Sequence, residues 1–102
     1  MQIEMIPAKM LDIYINRNET VIVDVRNQEE YNRGHIRGAI NISYEEESKL
    51  CQLSKSKTYI VYCDRGAVSL IAARLMIKCG LNVKAITGGI VAYRGVNYID
   101  MQ

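Results

Sequence analysis

Cys63 closes the apolar run "TYIVY" and is followed by "DRGAVS", after which the chain turns helical through "LIAARLM". A cysteine set between a buried strand and a helix N-terminus has its sulfur beside unpaired backbone N–H groups and the positive end of a helix dipole. Both features favour the thiolate, which is the nucleophilic form of the residue. Gly66 permits a positive φ at the turn, so successive N–H groups can converge on one point and cradle an anion. Asp64, Arg65, Ala67, Val68 and Ser69 complete the loop. Arg65 is its only cation and Ser69 contributes a hydroxyl donor, while Asp64 is expected to point outward, because an inward carboxylate would oppose a thiolate.

The other reactive-looking side chains carry weaker signals. Cys79 falls on the apolar face of the helix after the loop and Cys51 lies in a polar helix, so both read as free, inert filler. Three cysteines form no CxxC pair and His35 is the sole histidine, which argues against a closed disulfide framework and against a zinc site; no metal is expected. His35, within "RGHIRGA", is expected to hydrogen-bond in a turn rather than act as a general base. Asp24 and Arg26 follow a buried strand, at a strand end that is chemically suggestive.

Elements that could hold such a loop are legible from periodicity. "TVIVDV" (20–25), "GAINIS" (38–43), "TYIVY" (58–62) and "NVKAI" (82–86) read as strands, the first and third as runs buried on both sides. Pro7 opens a helix over residues 8–16, with Leu11, Tyr14 and Ile15 on one face. Asn27 and Glu30 make a capping box for a short helix that stops at Gly34, and Ser43 with Glu46 repeats the signature for a helix reaching about Leu53. Residues 67–79 place Val68, Ile71, Ala72, Leu75, Met76 and Cys79 on one helical face before Gly80, and "GGIVAYRG" starts a last helix. Alternation of β and α predicts an α/β fold, a small parallel sheet with helices on both faces. Ligands bind such sheets at the carboxyl ends of the strands, here at Asp24 and Arg26, at "CDRGAVS" and at "TGG" (87–89).

With 102 residues, 49% of them apolar, the chain is read as one domain, 1–102, with a core of its own. A formal charge of +2 gives no reason to expect nucleic acid as a partner. Glu4, Lys9 and Asp12 interrupt the N-terminal apolar residues, which excludes a signal-peptide core or a bilayer span there and leads to an expected cytoplasmic, reduced setting.

Three stretches, "VIVDVRNQEEYNRGHIRGAINI", "IVYCDRGAVSLIAARLM" and "ITGGIVAYRG", resemble in order the motifs of the rhodanese-like sulfurtransferase family, in particular its small single-domain bacterial members. The resemblance implies a parallel sheet flanked by helices, Asp24 and Arg26 as a structural pair that fixes the loops near the site, and a ping-pong transfer of sulfane sulfur without metal or organic cofactor. Cys63 would take sulfur from thiosulfate or a persulfide, hold it as a persulfide stabilised by the N–H groups of residues 64–69, and release it to cyanide, a thiol or a protein sulfur carrier. Tyr93 stands where the family's last motif normally ends in tryptophan, and Val68 where many members carry arginine or a hydroxyl, which weakens the expected hold on a dianionic donor. The alternative is a non-catalytic rhodanese-like module that docks a protein partner at the same crevice. Phosphate-ester chemistry is disfavoured, since related phosphatases use a loop one residue longer that ends in arginine, where this chain has Ser69.

Overall fold

The computed structural model describes residues 3–101. In chain order these form β1 (Glu4–Pro7), a 3-10 turn (Ala8–Met10) leading into α1 (Leu11–Tyr14), β2 (Thr20–Asp24), α2 (Gln28–Arg33), β3 (Gly34–Ile36) and β4 (Ile40–Asn41). There follow α3 (Glu47–Cys51), β5 (Thr58–Tyr62), α4 (Ala67–Lys78), β6 (Asn82–Thr87), a second 3-10 turn (Ile90–Ala92) and β7 (Tyr98–Asp100). Five strands pair in parallel in the order β1-β6-β5-β2-β4, and β3 and β7 pair antiparallel as a separate ribbon.

Strands without a polar face need cover on both sides. Tyr59, Val61 and Cys63 accordingly join Val23, Val25, Leu50, Ala72, Ala73 and Met76 in one core, under α3 and α4. Ile60 and Tyr62, pointing the other way, join Ile22, Leu11, Ile36, Ile86 and Tyr93 in a second core under α1 and the chain's last turns. Each such fully buried large side chain contributes about 1.5–3 kcal/mol, so the continuous apolar runs are what hold the sheet between its two layers. The connection leaving β2 reaches β4 on one side, while that leaving β5 reaches β6 on the other. The carboxyl ends of β2 and β5 therefore flank a switch point, the place where a crevice opens in such sheets.

Several expectations are corrected. Pro7 ends an edge strand, with φ −70° and ψ 153°, instead of opening a helix, and the helical segment after it is split into a 3-10 turn and one α turn. Pairing of Pro7 with Thr87 at the sheet edge suits a residue that lacks an N–H. On α4 the buried residues are Ser69, Ala72, Ala73 and Met76, whereas Ile71 is 55% exposed. The helix is rotated so that small alanines meet the sheet. Only half of the Ser43–Glu46 capping box forms: Glu46 accepts the Ser43 N–H at 3.0 Å, whereas the Ser43 hydroxyl accepts from the Glu45 N–H at 3.3 Å, in the turn before α3, which ends at Cys51. The last expected helix is a single 3-10 turn that stops at Tyr93, whose backbone is extended (φ −78°, ψ 132°), while the first-turn N–H groups of Ile90 and Val91 donate to Cys63 O (2.8 Å) and Asp64 O (3.1 Å). No described helix is long and apolar enough to cross a membrane.

Cys51 and Cys79 are not free: the ends of α3 and α4 meet, and the two residues form a disulfide with Cα atoms 5.5 Å apart. The odd cysteine count concealed one pair and one free thiol, Cys63. Under denaturing conditions the unreduced chain should therefore take one alkyl group and the reduced chain three, by intact mass. Three labels without reductant would remove the crosslink. Closing a span of 28 residues is worth about 3–4 kcal/mol in the chain-entropy model, so reduction should also lower Tm.

Candidate active site

Cys63 lies one residue beyond β5, 3% exposed, at the floor of a cavity of about 420 Å³. Its Sγ accepts hydrogen bonds from the backbone N–H groups of Gly66 (3.1 Å) and Ser69 (3.3 Å). That convergence depends on Gly66, which adopts φ +105° at the N-cap of α4, a conformation that side chains rarely tolerate. Two N–H donors directed at one sulfur, at the start of a 12-residue helix, form the environment that a sulfur anion needs. The Ser69 hydroxyl, expected as a third donor to a ligand, instead donates to Gly66 O at 3.1 Å and holds the turn closed.

The "TGG" segment buttresses this loop from behind. Gly89 packs so tightly against the Asp64–Arg65 peptide that a Cβ there would come within 2.3 Å of Asp64 O. Both Ile90 and Val91 bond to the loop's carbonyls from the same side. Tyr93, in the aromatic position that ends the motif, donates its hydroxyl to Asp12 Oδ1 (2.6 Å) and accepts the Asn97 N–H (2.8 Å). The ring fills the second core while its oxygen closes the C-terminal loop onto α1.

Asp24 and Arg26 sit beside the loop as a buried pair. Asp24 is fully buried and accepts from the Arg26 backbone N–H (3.0 Å), Arg26 Nε (3.0 Å), Arg26 Nη2 (2.7 Å) and the Tyr62 hydroxyl (2.7 Å). Arg26 Nη2 also donates to Gly34 O at 2.7 Å, and Nη1 approaches Asp64 Oδ1 at 3.4 Å. Burial alone would lower the Arg26 guanidinium's pKa, but the bonds to Asp24 and its charge outweigh that and raise it. Burial, then the charge of Asp24, pushes the Tyr62 phenol up as well.

The cavity walls are Arg26, Asn27, Glu30, Tyr44, Glu45, Asp64, Arg65, Ala67 and Val68. Asp64, about half exposed, turns sideways toward Arg26 and Glu30 rather than simply outward. Arg65 is exposed at the rim and Val68 is an apolar wall, so the loop residues from Asp64 to Val68 are gathered at the cavity. His35 is elsewhere: its ring stacks on Tyr31 at 3.9 Å and its Nδ1 bonds Tyr31 O at 2.9 Å. Glu30, named in the sequence only as a helix cap, and Tyr44 and Glu45 were not expected at the site. For Glu30 a signal existed, because the Asn27 cap fixes which side of the short α2 faces the strand ends.

A family model described as a rhodanese-like domain matches residues 7–95. The chain belongs to the rhodanese-like domain family. A rhodanese-related protein from Thermoplasma volcanium, of known structure, superposes with a TM-score of 0.77 at 31% identity, over 91% of this chain and 97% of that one. Among curated relatives, a tRNA sulfurtransferase from Desulfurococcus amylolyticus is 32% identical across 89% of this chain but only 18% of its own length. A tRNA uridine(34) hydroxylase from Wigglesworthia glossinidia brevipalpis is 33% identical across 90% of this chain and 31% of its own length. This rhodanese-like chain thus spans less than a third of either curated relative.

Two tests follow from the site's electrostatics. Asp24→Ala leaves Arg26 buried without its partner and should lower unfolding free energy by about 3–5 kcal/mol, read as a fall in the urea midpoint at unchanged slope. A loss under 1 kcal/mol would show that the pair is not structural. Glu30 lies beside Asp64, whose carboxyl, followed by burial, raises Glu30 above its ordinary value of 4.5. The folded state therefore holds the Glu30 proton more tightly than the unfolded chain, and that stability is complete below pH 4.5 and lost as pH rises through the raised value. Glu30→Gln should melt a few degrees above wild type at pH 7, with the difference fading toward pH 4; an unchanged gap would exclude the carboxyl contact.

Proposed function

We propose that this chain is a sulfurtransferase that carries sulfane sulfur on Cys63. The observation that supports it is the pair of backbone N–H groups meeting at Sγ on the floor of an open cavity. Relatives named sulfurtransferase point the same way. In the first half-reaction the Cys63 thiolate attacks the outer sulfur of a donor R–S–SH. The new S–S bond forms as the donor's breaks, R–S⁻ leaves with the electron pair, and Cys63 becomes Cys–S–SH. Thiosulfate would react in the same way, with sulfite as the leaving group. In the second half-reaction an acceptor thiolate or cyanide takes the outer sulfur and returns the Cys63 thiolate.

Loop N–H groups suit this cycle because negative charge resides on one sulfur or the next throughout, and fixed dipoles stabilise it without rearrangement. No proton shuttle is needed for a thiolate to attack a sulfane sulfur, which fits a site from which His35 is absent. A docking module has no use for a sulfur held by two donors at the base of a cavity. Docking without catalysis is accordingly the less supported reading.

Incubation with thiosulfate or a persulfide donor should add about 32 Da, one sulfur atom, to the intact chain. The Cys63→Ser variant should gain nothing, and cyanide should strip the added sulfur from wild type as thiocyanate. Absence of any gain from every sulfane donor tried would end this reading.

A further inference from the structure

The walls around Cys63 carry an unbalanced set of charges. Glu30, Glu45 and Asp64 all line the cavity, whereas its cations are Arg26 and Arg65. Each nitrogen of the Arg26 side chain is already engaged: Nε and Nη2 with Asp24, Nη2 also with Gly34 O, and Nη1 with Asp64. Its charge is matched by a fully buried carboxylate directly behind it. Among the described residues Arg65, exposed at the rim, is the other lining cation; with Asp64 paired to Arg26 Nη1, the carboxyls of Glu30 and Glu45 still outnumber it. Arg33, which approaches Glu30 and Asp64 from the other side, is paired with Glu29 at 2.7 Å. Neither Val68 nor the internally bonded Ser69 hydroxyl adds a donor for an oxyanion.

The arrangement has a direct consequence for the donor. A dianion entering this cavity meets net negative walls before it reaches the sulfur. A donor whose carrying group is cationic meets the reverse, and its ammonium would offset the repulsion between the adjoining Glu30 and Asp64 carboxyls. The nucleophile is itself anionic, so the cradle at the floor distinguishes poorly between donors; discrimination falls to the walls.

Resting on the sulfurtransferase reading, we propose that Glu30, Glu45 and Asp64 set its donor specificity, selecting small alkyl persulfides that bear an ammonium group and rejecting inorganic dianions such as thiosulfate. The transfer is the balanced exchange given above: with ⁺H₃N–CH₂–CH₂–S–SH as donor, the products are Cys63 persulfide and the aminothiolate, with no external oxidant or reductant. The cationic donor group remains near the carboxyls and lowers the energy of the departing thiolate.

The test compares three donors: 2-aminoethyl persulfide, its N-acetyl counterpart, each released in solution from a precursor, and thiosulfate. Loading of Cys63 is followed by intact mass. For wild type at pH 7.5 and low salt, kcat/KM should be roughly tenfold higher for the amino than for the N-acetyl persulfide, and thiosulfate should be poorest. Added salt should compress that ratio toward one, a readout that needs no variant. In the Glu30→Gln/Glu45→Gln double variant, which leaves the loop residues untouched, the amino-over-N-acetyl ratio should shrink toward one while thiosulfate improves relative to the N-acetyl donor. Equal wild-type rates for the amino and N-acetyl donors, or thiosulfate as the best donor, would overturn the inference while leaving the sulfurtransferase reading intact. No added sulfur from any of the three would overturn both.

Discussion

One buried carboxylate organises the carboxyl ends of the central strands. Removing a carboxylate from water costs several kcal/mol even after relaxation, so it survives only where bonds replace its hydration. Asp24 meets that condition by accepting from Arg26 and Tyr62. Tyr62 is the last residue of β5, immediately before Cys63, and its hydroxyl also accepts the Ile36 N–H at 3.1 Å. Arg26 carries the link on to Gly34 O and to Asp64. The end of β2, the end of β5 and the start of β3 are thereby tied to one point. Cys63 inherits its position from that tie.

A second constraint acts from the opposite side of the loop. Gly66 supplies the left-handed turn that aims N–H groups at sulfur, and Gly89 lets the segment after β6 lie against the Asp64–Arg65 peptide without a Cβ between them. Ile90 and Val91 give their N–H groups to this loop, and the segment leaves its single 3-10 turn at Tyr93, which is extended and whose hydroxyl is tied to Asp12 and Asn97. Local helical propensity loses here to long-range hydrogen bonding, and the gain is a loop held on both flanks.

How much of this could be read from the sequence follows from what each residue answers to. Strands in "TVIVDV" and "TYIVY", the Asn27 cap and the Gly66 and Gly80 boundaries of α4 were legible because local pattern and chain geometry agree there. β1 was not, since four residues ending in proline at a sheet edge carry little periodicity, and β7 was hidden because its partner, β3, is only three residues long. The Cys51–Cys79 crosslink depends on how α3 lies across α4, which no spacing rule encodes. At the candidate site, Cys63 and the loop that follows it were expected from the sequence, and the fold gathers Cys63, Asp64, Arg65, Ala67 and Val68 at one cavity. Glu30 and Glu45 were not, because they come from α2 and the β4–α3 connection and meet the cavity only through the fold.

That division also says where selectivity can arise. N–H groups that converge on a sulfur recognise negative charge at one atom, whatever the rest of the donor looks like. Such a cradle needs a strand, a glycine and a helix start, all within the eight residues from Tyr62 to Ser69. Discrimination needs side chains that reach beyond the reacting sulfur to the group that carries it, and the candidates are Glu30 from α2 and Glu45 from the β4–α3 connection, beside Asp64 of the loop itself. The charges of Glu30 and Glu45 can therefore change with little effect on the cradle, because Asp24, through Arg26 and Tyr62, and Gly89 hold the loop without them. On the proposed reading, reactivity would be local in the sequence, whereas choice of donor would draw on residues that only the parallel sheet brings to one edge.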